Sequence, residues 1–457
     1  MCGIVGISNH KDAARFAYLS LYALQHRGEE GAGVVSYDGK KIRYYKDMGL
    51  VGEVFDEKKI RSLRGHLAIG HNRYSTTGAS LLKNVQPFLV NHSKFPLAIA
   101  HNGNLVNTVK LHKRLEKNGA IFQTTMDSEI IAHLLTKSKK NSPKDIVIDA
   151  LSQIEGSYSI ILMLNDSLIG ARDPYGFKPL CLGRLDGCYV LASETCALDL
   201  IQAKYIREIE PGEIVFINKD KIESIKPFSK NKCSLCIFEY IYFARPDSNI
   251  FGSNVYLARK SLGKQLAREC PVEADLVMPI PDSGNYAGLG FAEQAKIPFE
   301  IAMIRNHYVG RTFIQPSQLI RDFKVRVKLN PIKDVIKDKR IVIVEDSIVR
   351  GTTSKIRVQT LRKAGAKEIH MRVSCPPLKF PCFYGIDFPT KRELIASKRT
   401  VEEIKNFIGL DSLEYLSLEG MLKSMILPNN EFCTACFDGK YPTSLPKKLS
   451  KKMLERG

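Results

Sequence analysis

Short apolar runs rich in β-branched residues, separated by turn residues, dominate the first half of the chain. They predict six strands, at residues 3–8, 33–37, 67–70, 97–100, 159–164 and 188–192. Helical periodicity lies between these strands at 13–25 and 128–135, and Asp127 and Ser128 are candidate caps of the second helix. The mixture predicts an α+β domain in which sheets are stacked and carry helices.

The pattern changes near residue 230, after a Lys-rich polar stretch at 218–232 that is a candidate linker. Beyond it, strands and helices alternate. The predicted elements are strands at 274–279, 299–303, 340–344 and 368–373 and helices at 258–268, 286–295 and 354–364. Such alternation predicts a parallel α/β sheet, whose ligands bind beyond the carboxyl ends of the strands. We therefore expect two domains, residues 2–230 and 231–457, with a site in the loops after Pro279 and Val344.

Composition excludes some classes of protein. With 44% hydrophobic and 25% charged residues among 457, the chain is not expected to be disordered. No apolar run approaches the roughly 18 residues of a spanning helix, and the first thirty residues lack a basic segment followed by an apolar core. We expect a cytoplasmic protein with no membrane partner, whose eleven cysteines are buried, catalytic or metal-bound rather than disulfide-bonded.

The net charge of +20 leans to the second half of the chain. Residues 1–230 hold 31 basic and 24 acidic side chains, and residues 231–457 hold 37 and 24. Such a balance suits nucleic acid, a membrane surface or a phosphorylated small molecule, and surface lysines also serve solubility. Because Tyr and Phe are scattered rather than interleaved with basic residues, composition does not favour a nucleic-acid partner.

The amino terminus carries candidate chemistry. Removal of Met1 would leave Cys2 with a free α-amine, a group whose pKa is ordinarily about 7.7 to 8.0, beside its own thiol. One residue could then supply both the nucleophile and the general base. A cysteine at the second position is, taken alone, more often a small buried residue.

Five short segments, of which the first contains Cys2, form a series of motifs: CGIVGI at 2–7, LQHRG at 24–28, HNRYST at 71–76, HNGNL at 101–105 and TMDSE at 125–129. In this order they resemble class II glutamine amidotransferases, which are N-terminal-nucleophile hydrolases with stacked antiparallel sheets between helices. One departure is Glu29, which stands where the family usually has Gln.

The resemblance implies roles for five residues. Cys2 attacks the glutamine carboxamide, and the Asn102 side chain and the Gly103 backbone N–H stabilise the oxyanion. Arg73 binds the α-carboxylate of glutamine and Asp127 its α-ammonium. Simpler readings stay open, because Asp127 could only cap a helix and Arg73 could form a surface ion pair. The histidines at 26, 71 and 101 are expected to orient loops.

A second site is indicated after the apolar run 340–344. Two acids, Glu345 and Asp346, precede a cluster of small and hydroxyl residues that enters a helix, Ser347-Ile-Val-Arg-Gly-Thr-Thr-Ser354. Backbone N–H groups at such a helix start, together with hydroxyls, can cradle a phosphate monoester. The paired carboxylates suit ribose hydroxyls or Mg²⁺. The string is not a Walker loop.

This string is similar to the phosphoribosyl-pyrophosphate loop of type I phosphoribosyltransferases, α/β proteins with a parallel sheet. The resemblance implies that the phosphoribosyl group is bound by Asp346, Ser347, Arg350, Gly351, Thr352 and Thr353. Pro281-Asp-Ser-Gly284 matches the family's second loop, so the implied Mg²⁺ site is Ser283, Glu345 and Asp346, with Glu345 standing where Asp is frequent. A basic stretch around Arg311 resembles the family's mobile loop, although a nucleic-acid track is the competing reading.

Four cysteines of the second half form a further candidate site. Cys433 and Cys436 are a Cys-x-x-Cys pair, and Cys236 and Cys382 are isolated, so the chemistry fits zinc, an iron–sulfur cluster or neither. Their sequence contexts resemble amidophosphoribosyltransferases of the iron–sulfur type. That resemblance implies that these four residues, and not Cys233 or Cys375, bind a structural [4Fe–4S] cluster.

The last resemblance extends over nearly the whole chain and implies a reaction. Glutamine would supply ammonia, through an internal channel, to phosphoribosyl pyrophosphate, giving 5-phosphoribosylamine, glutamate and pyrophosphate in the first committed step of purine synthesis. It implies one Mg²⁺ and one cluster per subunit, purine nucleotides as feedback inhibitors, a homo-oligomer, often a tetramer, and no nucleic-acid partner. The rivals are another class II amidotransferase, which would lack the 345–353 loop, and a non-enzymatic nucleic-acid binder, whose affinity would fall steeply with salt.

Overall fold

Two antiparallel sheets form the amino-terminal half. The computed structural model describes residues 1–75, 77–92, 95–229, 232–306, 329–388, 390–446 and 454. The first sheet has seven strands, in the spatial order Lys204–Glu208, Cys181–Leu185, Cys188–Ala192, Gly3–Ile7, Leu67–Arg73, Gly31–Tyr37 and Ile42–Met48. The second has six, in the order Lys221–Ile225, Ile214–Asn218, Ser167–Arg172, Gly156–Leu164, Pro96–Leu105 and Phe88–Asn91.

The two sheets pack face to face, because alternate residues of their strands are apolar and point to the shared interior. One buried cluster joins Ile4 and Ile69 of the first sheet to Ala98 and Ile161 of the second. Helices cover the outer faces and bury two further clusters. These helices are Ala13–Ala23, Val51–Val54, Glu57–Ser62, Thr108–Lys117, Ser128–Lys137, Pro143–Leu151 and Thr195–Leu200.

The carboxy-terminal half is built on a parallel sheet of four strands. Their order is Leu276–Pro279, Arg340–Glu345, Glu368–Val373 and Ser412–Tyr415. The helices of this half are Val255–Glu269, Asn285–Ala295, Lys333–Ile336, Thr352–Lys363, Val401–Ile408, Leu418–Lys423 and Ala435–Asp438. The predicted fold class, stacked antiparallel sheets between helices followed by a parallel α/β sheet, is confirmed.

Two predictions about individual segments are wrong. Residues 218–225 are not a linker: Lys221–Ile225 is an edge strand that pairs with Ile214–Asn218, and its side chains are mostly exposed, so it lacks the alternating apolar pattern that predicts a strand. Of the strand predicted at 299–303, only Phe299 pairs with the parallel sheet, through a bridge to Val277, and the strand Met303–Arg305 that follows pairs antiparallel with Leu329–Pro331. The predicted domain boundary at residue 230 stays a prediction.

Two short two-stranded sheets and one helical turn position the site residues. Leu235–Cys236 pairs in parallel with Phe432–Cys433, which brings two distant cysteines side by side. Glu239–Phe243 is a π-helical turn, and Asn249–Ile250 pairs with Ser253–Asn254. In the part of the chain that the structure describes, no helix has the length and apolar character needed to cross a bilayer.

Candidate active site

Cys2 lies just before the central strand Gly3–Ile7 of the first sheet and is buried. Its thiol donates to the carbonyl oxygen of Tyr74 at 3.4 Å and accepts from the backbone N–H of Tyr74 at the same distance. Burial raises the pKa of the Cys2 thiol and lowers that of the Met1 amine well below its ordinary value. The Met1 side chain packs into the core of the carboxy-terminal half, so the amino terminus lies where the two halves meet.

Asn102 stands beside Cys2, on the neighbouring sheet. The backbone N–H of Cys2 donates to Asn102 Oδ1 at 3.2 Å, whereas the buried Nδ2 has no hydrogen-bond partner among the residues that the structure describes. Gly103 follows on the same strand, and a Cβ there would lie 2.1 Å from the carbonyl oxygen of Ser157, so only glycine fits. A nearly buried thiol therefore faces an amide with an unused donor, the arrangement that an oxyanion requires.

Arg73 and Asp127 lie in the same buried region. Arg73 does not form a surface ion pair and the Asp127 side chain does not cap a helix, so neither alternative role holds. Arg73 is 3% exposed and donates to the carbonyl oxygens of residues 78, 79 and 84, while its Nε has no hydrogen-bond partner in the described part of the chain. Asp127 stands at the helix start without capping it, since its Oδ2 accepts from the Leu105 N–H at 2.9 Å. Burial alone would raise the pKa of Asp127, but His101 and the Leu105 N–H hold it below its ordinary value.

Two neighbours of this region were missed by the sequence analysis. Tyr74 contacts Cys2 only through its backbone, which no motif of side chains reports. Glu30 accepts hydrogen bonds from Ser75 and Ser80 and, although burial opposes this, those bonds lower its pKa. Glu30 thus holds the segment after Arg73 in place.

A pocket of about 770 Å³ lies at the carboxyl ends of the parallel strands, where it was expected. His26 and Tyr74 line it from the amino-terminal half. The other half contributes the predicted phosphate-loop residues Asp346, Ser347, Arg350, Gly351, Thr352 and Thr353 together with Ser283 and Glu345. Gly351 has φ +73° just before the helix Thr352–Lys363, a left-handed conformation that favours glycine. Arg311 lies outside the described residues.

Of the three predicted Mg²⁺ ligands, Ser283 and Asp346 are in contact, whereas Glu345 binds another partner. Ser283 Oγ and Ser347 Oγ donate to the two carboxylate oxygens of Asp346, each at 2.5 Å. Glu345 Oε2 instead accepts from Arg357 at 2.5 Å, and burial raises the pKa of Glu345 to about 8 although Arg357 opposes the shift. Among the described residues, no group of three His, Cys, Asp or Glu side chains is arranged to hold a metal ion.

The four predicted cluster cysteines line one small, almost wholly apolar cavity. Tyr384 and Tyr441 also line it, and Phe238 and Ile386 line both this cavity and the large pocket. Cys236 and Cys433 are paired residues of the short parallel sheet, and the Cys436 carbonyl accepts from two backbone N–H groups at 3.0 and 3.1 Å. All eleven cysteines lie within the described residues, and none of them is in a disulfide.

Comparison with known proteins gives matches over both halves. A family model for a glutamine amidotransferase domain matches residues 71–200. Amidophosphoribosyltransferase 1, chloroplastic, of Arabidopsis thaliana is 50% identical over 443 residues, 96% of this chain and 78% of that protein. The amidophosphoribosyltransferase of Methanocaldococcus jannaschii is 49% identical over 464 residues, 97% of this chain and 98% of that one.

A solved structure agrees in fold as well as in sequence. Glutamine phosphoribosylpyrophosphate amidotransferase from B. subtilis, complexed with ADP and GMP, has a TM-score of 0.94 and 48% identity, covering 99% of this chain and 100% of that chain. Similarity of this extent includes both the segment with Cys2 and the phosphate loop. The chain therefore belongs to the amidophosphoribosyltransferases, the enzymes that use glutamine to convert 5-phosphoribosyl 1-pyrophosphate to 5-phosphoribosylamine, glutamate and pyrophosphate in the first committed step of purine synthesis.

Proposed function

We propose that the glutamine half of the reaction takes place at Cys2, after removal of Met1. The observation that carries this assignment is the buried contact between the Cys2 backbone nitrogen and Asn102, whose Nδ2 is left without a partner by the residues described. The Cys2 sulfur attacks the carboxamide carbon, the C–N bond breaks and ammonia leaves. Water then hydrolyses the thioester and releases glutamate.

The freed α-amine of Cys2 is the general base. It would occupy the position of the present Cys2 nitrogen, 3.2 Å from Asn102 Oδ1. A neutral amine at pH 7 can accept the thiol proton and return it to the departing nitrogen. Arg73 Nε and Asp127, both in this region, are the candidates for binding the α-carboxylate and α-ammonium of glutamine.

Asn102→Ala is expected to lower the kcat for glutamine hydrolysis about a hundredfold, because it removes one preorganised donor to the oxyanion. Ammonia-dependent synthesis should stay within twofold of the parent, since Asn102 does not line the phosphate-loop pocket. Steady-state assays with glutamine and with ammonium salts measure both. Asn107→Ala is the control. The Asn107 side chain lies nearby in the same domain, and its hydrogen bonds are to the backbone of Gln153 and Glu155. A loss of less than fivefold would contradict an oxyanion role.

The large pocket is proposed to bind phosphoribosyl pyrophosphate. Backbone N–H groups from Ser347 to Thr353 and the start of the following helix suit the 5-phosphate, and Arg350 adds a positive charge. Ammonia attacks C1 of the ribose while the bond to pyrophosphate breaks, with inversion at C1. Arg311 is the proposed partner of the departing pyrophosphate, by resemblance alone.

One Mg²⁺ per subunit is proposed at the edge of this pocket. Asp346 fits as a ligand, because its carboxylate is 5% exposed and faces two hydroxyls, and Ser283 belongs to the same group. Glu345 fits less well, since Arg357 already occupies one of its oxygens. The bound ion would neutralise charge that develops on the pyrophosphate.

A [4Fe–4S] cluster is proposed for the apolar cavity. The donor set suits it: four thiols and no carboxylate or imidazole line the cavity. In such a cluster each thiolate binds a different iron, so the sulfurs need not converge as they do around a single ion. Its contribution would be structural, because the cysteines join the segment at 235–236 to the carboxy-terminal segment at 432–436.

Cys433→Ser is expected to lower the iron content from about four to less than one atom per subunit and to remove the brown absorbance, since one of the four thiolates is lost. Anaerobic purification followed by iron analysis and visible spectroscopy measures this. Cys233→Ser is the matched control, because Cys233 is near Cys236 in sequence but does not line the cavity. Full iron in the Cys433→Ser protein would contradict the assignment.

Other features of the enzyme are proposals of the same kind. We propose a domain boundary near residue 230, a homotetramer and a cytoplasmic location. The eleven cysteines, none of which is in a disulfide, support the proposed location. Purine nucleotides are proposed as inhibitors, since the B. subtilis relative is complexed with ADP and GMP. No nucleic-acid or membrane partner is proposed.

The decisive assay measures glutamate and pyrophosphate release by anaerobically purified protein. Glutamine, phosphoribosyl pyrophosphate and Mg²⁺ are each omitted in turn. Coupled release that requires all three is expected. Glutamate release without pyrophosphate release would contradict the assignment of the large pocket.

A further inference from the structure

A cluster of buried charges joins the two halves of the chain directly behind Cys2. Arg27 is fully buried, and its Nε donates to the carbonyl oxygen of Cys2 at 2.9 Å. Its terminal nitrogens contact Glu194 and donate to both oxygens of Glu239, at 2.9 and 3.1 Å. Both carboxylates are also fully buried. Glu194 comes from the amino-terminal half and Glu239 from the other, so Arg27 ties both to the backbone of the nucleophile.

Glu194 extends the cluster to the wall of the large pocket. Its Oε2 accepts from the backbone N–H of Arg245 at 2.9 Å and from Ser248 Oγ at 2.7 Å. His26 Nε2 lies 2.9 Å from its other oxygen. Since His26 and Arg245 both line the pocket, two residues of the pocket wall are one hydrogen bond away from this carboxylate.

Glu239 connects the cluster to the pocket by a second path. It is the first residue of the π-helical turn Glu239–Phe243, of which Tyr242 and Phe243 line the pocket. The Phe243 ring lies edge-on to that of Tyr74, with centroids 6.1 Å apart, and the Tyr74 backbone contacts the Cys2 sulfur. π-helical turns are rare and frequently occur at functional sites. One turn therefore lines the pocket and is connected to Cys2 through one residue on each side, Arg27 at the Cys2 carbonyl and Tyr74 at its thiol.

Stability alone is a weak reason for such a cluster, because burying three charges is costly and apolar residues of similar volume frequently serve as well. A stronger reason for the cluster is that it can fix the position of Cys2. The guanidinium makes hydrogen bonds of fixed direction to a carbonyl and two carboxylates, which fixes the Cys2 backbone relative to the pocket wall. A shift of about 1 Å at a reacting group can cost a hundredfold in rate.

We propose that Arg27 is a positioning residue: through Glu194 and Glu239 it sets the position of Cys2 according to the state of the phosphoribosyl pocket, so that glutamine cleavage responds to pocket occupancy. This inference rests on the proposed role of Cys2. It concerns Arg27 and its two partners and assigns them no contact with either substrate.

Glu239→Gln tests the inference with little change in shape. Glutamine keeps one oxygen acceptor, and Arg27 keeps its charge partner Glu194. The rate at which a diazoketone analogue of glutamine alkylates Cys2 is measured with and without phosphoribosyl pyrophosphate and Mg²⁺. Occupancy of the pocket should accelerate alkylation in the parent, and this ratio should fall close to one in Glu239→Gln. The kcat for glutamine hydrolysis should fall roughly tenfold or more with an unchanged KM, while ammonia-dependent synthesis stays within twofold.

Two further variants separate positioning from folding. Glu213→Gln weakens another Arg–Glu pair, with Arg207, that lies wholly in the amino-terminal half, and the ratio should keep its parent value. Arg27→Lys retains the charge but cannot reach all three acceptors, so it should behave as Glu239→Gln does. An unchanged ratio in Glu239→Gln, or equal losses of glutamine-dependent and ammonia-dependent synthesis, would overturn the inference. A parent enzyme without label on Cys2 would overturn the role of Cys2 as well.

Discussion

Cys2→Ala is expected to lower glutamine-dependent synthesis of phosphoribosylamine by more than about a thousandfold, because no other group can form the thioester. Synthesis from ammonium salts should persist, since Cys2 does not line the pocket that is proposed to bind the phosphoribosyl group. Both activities are measured as pyrophosphate release from the same preparation, with glutamine or with an ammonium salt at the same pH. The ratio between them is the quantity of interest.

A control variant guards against loss of folding. Cys188→Ala also removes a buried thiol from the first sheet, at 7% exposure, but Cys188 lies far from the site in the strand Cys188–Ala192. It should retain both activities. Loss of both activities in a folded Cys2→Ala protein would contradict two separable sites, and retention of glutamine-dependent synthesis would contradict Cys2 as the nucleophile.

Much of the fold follows from the sequence because strands of this size carry their burial pattern locally. Cys188–Ala192 and Glu368–Val373 have the bounds that the apolar runs predict. Pro96–Leu105 is longer than the predicted strand at 97–100. Its second half is polar: the His101 ring lies 3.1 Å from Ser128 Oγ, and Asn102 Oδ1 accepts from the Cys2 N–H. The apolar pattern therefore ends at residue 101, next to the proposed oxyanion donor Asn102.

Sequence reasoning groups site residues where they are neighbours along the chain, and it fails where they meet only through long-range contacts. The phosphate loop is one continuous string, so its residues were found together at one pocket. The partners of Arg27 could not be found in this way, because Glu194 and Glu239 lie 167 and 212 residues away from it. Each is an isolated acid in the sequence, and only the packing of the two halves brings them to one guanidinium.

Asp346→Asn is expected to remove the synthesis of phosphoribosylamine from both nitrogen sources. The carboxylate of Asp346 faces Ser283 and Ser347 at the pocket edge, and an amide keeps its size while removing the charge that would hold Mg²⁺. If that ion contributes about 4 kcal/mol to stabilising the transition state, both rates should fall about a thousandfold. Pyrophosphate release with glutamine and with ammonium salts measures this.

Asp346→Asn should leave the glutamine site reactive, whereas Cys2→Ala removes its nucleophile. Alkylation of Cys2 by the diazoketone analogue should continue at the unstimulated rate, because Asp346 makes no contact with Cys2 or Asn102. Asp275→Asn is the matched control: Asp275 precedes the neighbouring strand Leu276–Pro279 and binds Arg340 at the other end of the sheet, so both activities should stay within twofold. Ammonia-dependent synthesis above a tenth of the parent rate in Asp346→Asn would show that the carboxylate is not needed for the departure of pyrophosphate, and the proposed Mg²⁺ site would then have to be abandoned.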